Sequence, residues 1–149
     1  MAKKLRDIMT SNIATVTQKD NLYEAAVKMK EHNVGIIPVV DEQNKCIGLI
    51  TDRDIVIRAI ADKNPPSTSV VDIMSERLIS GEPDMSVSRA AEIMAKEKVR
   101  RLPVLENGTL VGMVAMADLT RNKETQDEAA FAIEEVSEPT TIHSQGYMQ

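Results

Sequence analysis

A threonine and an aspartate three residues apart, Thr51 and Asp54, close the segment Gly48-Leu49-Ile50-Thr51-Asp52-Arg53-Asp54, where an apolar run gives way to a polar one. At a strand-to-helix corner a hydroxyl and a carboxylate at that spacing can project into one cleft. Together they offer donor and acceptor groups to a vicinal diol such as a ribose, and Arg53 between them could meet a phosphate. Helix N-terminal amides alongside would also favour an anion. A plainer role suits the same residues, because Ser, Thr or Asp at a helix start caps it. A second segment, Gly112-Met113-Val114-Ala115-Met116-Ala117-Asp118, keeps the aspartate but has Ala115 and Ala117 in place of the hydroxyl and the cation. Arg100 and Arg101 form a further candidate, a phosphate or carboxylate clamp, against the alternative of a solvated rim.

Catalytic chemistry is poorly supplied. His32 and His143 have no evident carboxylate or nucleophile partner, and Cys46 has no recognisable histidine partner. No metal-ligand spacing and no phosphate-binding glycine loop occurs. The chain reads as a binding protein rather than an enzyme, with no catalytic residue and no metal site to assign.

The elements that must position these groups follow from periodicity. In the first half Asn12–Val16 reads as a short strand. Asn21 and Glu24 have capping-box spacing ahead of Leu22, Ala25, Ala26 and Met29, the i, i+3, i+4, i+7 stripe of a helix ending near Asn33. Val34–Val40 and Cys46–Thr51 are β-branched runs joined by a polar turn, hence a hairpin, and a helix should run from about Asp52 to Asp62. Asn64-Pro65-Pro66-Ser67 is a stiff linker. The second half predicts a strand at Leu78–Ser80 and a helix capped by Ser86 with Val87, Ala90, Ala91 and Met94 inward. A hairpin of Arg101–Leu105 with Thr109–Ala115 and a helix from Met116 complete it. The tail predicts one helix from about Thr125 through Glu135 and little order after Ser137.

The two halves are copies. Asp7-Ile8-Met9 recurs 65 residues on as Asp72-Ile73-Met74; Pro38-Val39 recurs as Pro103-Val104, and with one residue lost Asp54 recurs as Asp118. A repeat that long is one supersecondary unit duplicated, each copy too small to bury its apolar face alone. The expected boundaries are residues 1–64, 65–122 and a tail of 123–149. The expected fold is a mixed α/β (α+β) sandwich of two β-α-β-β-α repeats packed about a pseudo-twofold axis, leaving two related clefts.

Composition narrows the partners. Aromatic residues make up only 2% of the 149, so no stacking platform for single-stranded nucleic acid exists. The net charge of −5 sits in the tail, where Lys123 faces Glu124, Asp127, Glu128, Glu134, Glu135 and Glu138. A neutral body with an acidic tail disfavours nucleic acid and anionic membrane surfaces. One cysteine, no apolar run of spanning length and no signal-like start point to the cytoplasm.

Asp-Ile-Met, strand, helix, Val-x-x-hydrophobic-Pro-Val-Val and Gly-x-x-Thr-x-Arg-Asp together resemble a cystathionine-β-synthase (CBS) domain, and the pair over about residues 3–122 resembles a Bateman module. That resemblance implies a small stand-alone regulatory protein. It would bind an adenosyl ligand between the repeats: AMP, ADP, ATP, NAD(H), S-adenosylmethionine or cyclic di-AMP. It carries the ribose onto Thr51 and Asp54 and phosphate onto Arg53, with Ile79, Val99, Arg100 and Arg101 of the other copy completing the first cleft. The second cleft would use Ala14, Val34, Ile36 and Asp118, with Ala115 departing from the family's hydroxyl. It further implies a homodimer through helix faces, for which Ile55, Ile57 and Ile60 offer apolar surface, and an unidentified target protein. The rival is an interaction or structural module whose clefts are vestigial.

Overall fold

The computed structural model describes residues 3–120, so the expected tail helix and His143 lie outside the described residues. Two compact units are present, and they cut across the sequence repeats. One contains residues 14–78. The other joins residues 3–13 to 79–120.

In the unit of residues 14–78, β1 (Val16–Thr17) runs parallel to β2 (Ile36–Val40), which pairs antiparallel with β3 (Cys46–Thr51). The strand expected from Asn12 is therefore only its last residue and one more. Between β1 and β2 lies α2 (Leu22–His32), started by the reciprocal box read from the sequence: Glu24 donates its amide to Asn21 Oδ1 at 2.9 Å, and Asn21 donates its amide to Glu24 Oε1 at 3.1 Å. The helix ends at Asn33 in the left-handed region, φ 53°, a conformation asparagine tolerates. Leu22, Ala25 and Met29 of its stripe are buried against Val16, Ile37, Val39 and Ile50, while Ala26 is exposed. After β3 the chain makes one short α-helical turn, α3 (Asp52–Asp54), and continues as a π-helix over Ile55–Ile60. Bonds such as Ala61 N–H to Val56 O, 2.9 Å, define that widening.

The unit of residues 3–13 and 79–120 repeats the plan around α4 (Val87–Glu97), β4 (Arg101–Glu106), β5 (Thr109–Ala115) and α5 (Met116–Thr120). Val87, Ala90, Ala91 and Met94 are all buried with Leu102, Val104 and Val114. The strand expected at Leu78–Ser80 is absent. In its place Gly81 alone forms a parallel bridge to Val104, 65 residues after the Val16–Val39 pair. A Cβ on Gly81 would lie 2.7 Å from Leu5 Cδ1, which explains a glycine where the first copy has valine.

Each Asp-Ile-Met leader packs with the other copy's hairpin. The first forms α1 (Leu5–Ile8), held by Leu5 N–H to Met85 O at 2.9 Å and by the Thr10–Met113 amide pair, with fully buried Leu5 in that unit's core. The second forms a short 3-10 turn at Val70–Asp72 and bonds through Ser75 to Leu49, 2.8 and 3.0 Å. Met74 covers Gly48, and Met9 covers Gly112. Sheet edges that a two-strand hairpin would leave open are paired by these exchanged segments.

Candidate functional site

The strand–helix corner after each hairpin is built the same way. Its first helical amide is anchored to the residue ahead of the inner strand: Asp52 N–H to Gly35 O, 2.9 Å, and Met116 N–H to Arg100 O, 3.0 Å. The corner thereby brings Thr51 beside Ile36, its cross-strand partner, and Ala115 beside Arg101.

At the first corner Thr51 and Asp54 form a reciprocal cap. Asp54 donates its amide to Thr51 Oγ1 and Thr51 donates its amide to Asp54 Oδ2, both at 3.0 Å. The capping role is thus present, and it uses one lone pair of the hydroxyl and one carboxylate oxygen. Thr51 is the buried polar residue of the corner, 5% exposed, and the Asp54 side chain is 14% exposed. Burial pushes the Asp54 carboxyl above its ordinary range; the Thr51 bonds and Arg58 pull it back in part. Arg58 is a group that the sequence reading passed over, although i to i+4 from Asp54 was a legible spacing. Its Nη1 lies 3.9 Å from Asp54 Oδ1 and donates to the Met74 carbonyl at 3.3 Å. Arg53 is exposed, beside Asp52, Val56 and Ile57, which line a shallow open cavity of about 230 Å³.

At the second corner half of the cap survives. Ala115 donates its amide to Asp118 Oδ2 at 2.7 Å, and no hydroxyl exists to return the bond. The cation here comes from the strand: burial and the neighbouring Arg100 charge lower the Arg101 pKa, while Asp118 raises it. Both arginines are half-buried, and Val99 is buried.

Of the residues singled out, Ala14, Val34, Ile36, Thr51, Arg53 and Asp54 lie in one unit, and Ile79, Val99, Arg100, Arg101 and Asp118 in the other. Within a unit the structure brings together Ile36, Thr51 and Asp54, and likewise Arg101 and Asp118. Each expected cleft draws on both units. His32 is the exposed last residue of α2. Cys46 is half-buried, its thiol pushed up by burial and directed at Gly48 O, 3.5 Å.

A duplicated α/β hairpin module with one polar corner per copy defines a class of tandem-repeat proteins, and its two corners are unequal. The chain belongs to the CBS domain family, whose model matches residues 5–60 and 70–124. It is 45% identical over 136 residues to the Bacillus subtilis protein YlbB, covering 91% of this chain and 92% of that one. Hypoxic Response Protein I, solved with two coordinated zinc ions, superposes with TM-score 0.75 at 31% identity over 80% of this chain and 98% of its own. The CBS domain pair of MJ0100, in complex with 5′-methylthioadenosine and S-adenosyl-L-methionine, superposes with TM-score 0.71 at 29% identity, over 81% and 95%. Among the described residues of this chain no three His, Cys, Asp or Glu side chains group to hold a metal. No helix there is long and apolar enough to cross a membrane.

Proposed function

We propose that this chain is a regulatory module that binds an adenosyl ligand between its repeats and signals by shifting their arrangement. The observation that carries the reading is the buried Thr51–Asp54 pair, whose cap does not use the hydroxyl proton or Oδ1, the oxygen that faces Arg58. Those are the groups that a ribose diol needs. The adenosyl complex of MJ0100 supports the ligand class. On this reading Ile79, Val99, Arg100 and Arg101 complete the first cleft and Arg53 meets phosphate. The second cleft, of Ala14, Val34, Ile36 and Asp118, binds weakly because Ala115 supplies no hydroxyl.

The module acts in the cytoplasm as a homodimer without catalytic activity, and its output is a target protein. Val56, Ile57 and Ile60 are at least half exposed and support an apolar dimer face, with Tyr23 nearby; Ile55 instead packs on the core. The rival, an interaction module with vestigial clefts, is favoured by the reciprocal cap, which gives Thr51 and Asp54 a structural role of their own.

Thermal unfolding against AMP, ADP, ATP, NADH, S-adenosylmethionine and cyclic di-AMP, with GTP as control, separates the two. A ligand at about a hundred times its Kd adds roughly 2.7 kcal/mol, a shift of several degrees. No shift at millimolar concentration from any adenosyl compound would leave the interaction module standing.

A further inference from the structure

Both aspartates of the repeated corner have an arginine as electrostatic neighbour, but the two arginines come from different elements. Asp118 has Arg101 from β4. At the equivalent place beside Asp54 the strand carries Ile36, and the cation arrives from the helix, as Arg58. Arg58 is fixed at a second point by the Met74 carbonyl, on the leader that pairs with β3 through Ser75. Its Nη1 therefore lies between the corner and that leader, and the contact with Asp54 falls on Oδ1, the oxygen not used in the cap.

We infer that Arg58 is a positioning residue of this corner, holding the Asp54 carboxylate oriented and ionised for a sugar diol without itself contacting the ligand's phosphate. The binding arm of this inference rests on the adenosyl reading above; the titration arm does not. Desolvation opposes ionisation of Asp54, and the charged groups acting on it are Arg58, which favours the carboxylate, and Asp52, which disfavours it. The leader contributes the Met74 carbonyl, through Arg58. Removing the cation leaves burial and Asp52 against the Thr51 bonds alone. A role confined to stability would change the melting temperature and leave the titration where it was.

The test is a carbon-13 carboxyl titration of Asp54 by NMR in the wild type, Arg58→Gln and Arg58→Lys, alongside calorimetric binding of adenosine and AMP. The expected result is an upward movement of the Asp54 midpoint by about half a pH unit in Arg58→Gln, with return in Arg58→Lys. Affinity for adenosine and for AMP should fall by the same factor, roughly fivefold, in Arg58→Gln. An unmoved midpoint overturns the inference, and so does a loss confined to AMP, which would make Arg58 a phosphate contact. If the wild type binds neither probe, the reading fails for these two ligands at this corner, while the titration still decides the role of Arg58. The lysine variant guards against a glutamine variant that does not fold.

Discussion

Oδ2 of Asp54 accepts the Thr51 amide while Oδ1 lies towards Arg58, so capping and the proposed ligand binding would draw on different atoms of one carboxylate. Substitution can separate them. Asp54→Asn keeps an acceptor for the amide, and its melting temperature at neutral pH should stay within about two degrees of wild type, with adenosyl-ligand stabilisation lost. Asp54→Ala loses both and should also cost about 1 kcal/mol of stability. Paired melting curves with and without ligand check this; stabilisation surviving in Asp54→Asn would remove the aspartate from the site. The pH dependence has opposite signs for folding and binding. Because burial raises the carboxyl value in the folded state, this group makes the fold less stable as pH rises from the ordinary Asp range through the raised value. On the proposed reading ligand affinity needs the ionised form and should fall as pH drops through the same raised value, earlier than for an ordinary aspartate. Binding measured against pH in the wild type should show this as a loss that sets in at higher pH than for an ordinary aspartate. The cap was readable from residue type and spacing at 51 and 54. Arg58 was legible only in its i to i+4 spacing from Asp54; its second anchor, the Met74 carbonyl 16 residues away in sequence, was not.

At the scale of elements, what was legible was local and what was missed was not. Asn21 and Glu24 announced α2, and runs joined by a short polar turn announced both hairpins, because the interactions that fix them lie within a few residues. The leaders at Leu5–Ile8 and Val70–Asp72 are too short to nucleate alone; they are ordered by bonds to Met85 and Leu49, which no window of sequence contains. The two glycines beneath the leader methionines make this packing testable. A Cβ at Gly48 would lie 2.8 Å from the Ser75 carbonyl, a backbone atom tied to Leu49, as well as 2.5 Å from Met74 Sδ. At Gly112 the nearest atoms all belong to the Met9 side chain, which can turn aside. Gly48→Ala should therefore cost about 1–3 kcal/mol, and Gly112→Ala less. Chemical denaturation of the two variants gives the order directly, and a reversed order would contradict this account of the leaders.

On the scale of the whole molecule, the chain passes from one unit to the other and back, so a sequence repeat and a folding unit are not the same object. The period of 65 residues predicted the duplication that the two family matches bear out, and a cut at the end of residue 64 divides a core. Val70, Ile73 and Met74 are 0%, 5% and 7% exposed and belong to the cluster of Val16, Leu22, Ile37 and Ile50. Losing three such side chains forfeits about 1.5–3 kcal/mol each, a sum comparable with the total stability of 5–15 kcal/mol typical of a domain. The separated leader would also leave Leu49 without its Ser75 partner and expose that edge of β3. A fragment of residues 14–78 should consequently show dispersed amide resonances and a cooperative melt, whereas a fragment of residues 1–64 should show neither, despite containing a full sequence repeat. Were 1–64 to fold as well as 14–78, the exchanged leader would be an ornament of the edge rather than part of the core. The same exchange bears on the ligand site proposed at Thr51 and Asp54. Asp54 reaches Arg58, Arg58 reaches the Met74 carbonyl, and the segment that holds Met74 is the one that leads the chain out of this unit, so a ligand at the proposed corner would act next to the point where the chain leaves it.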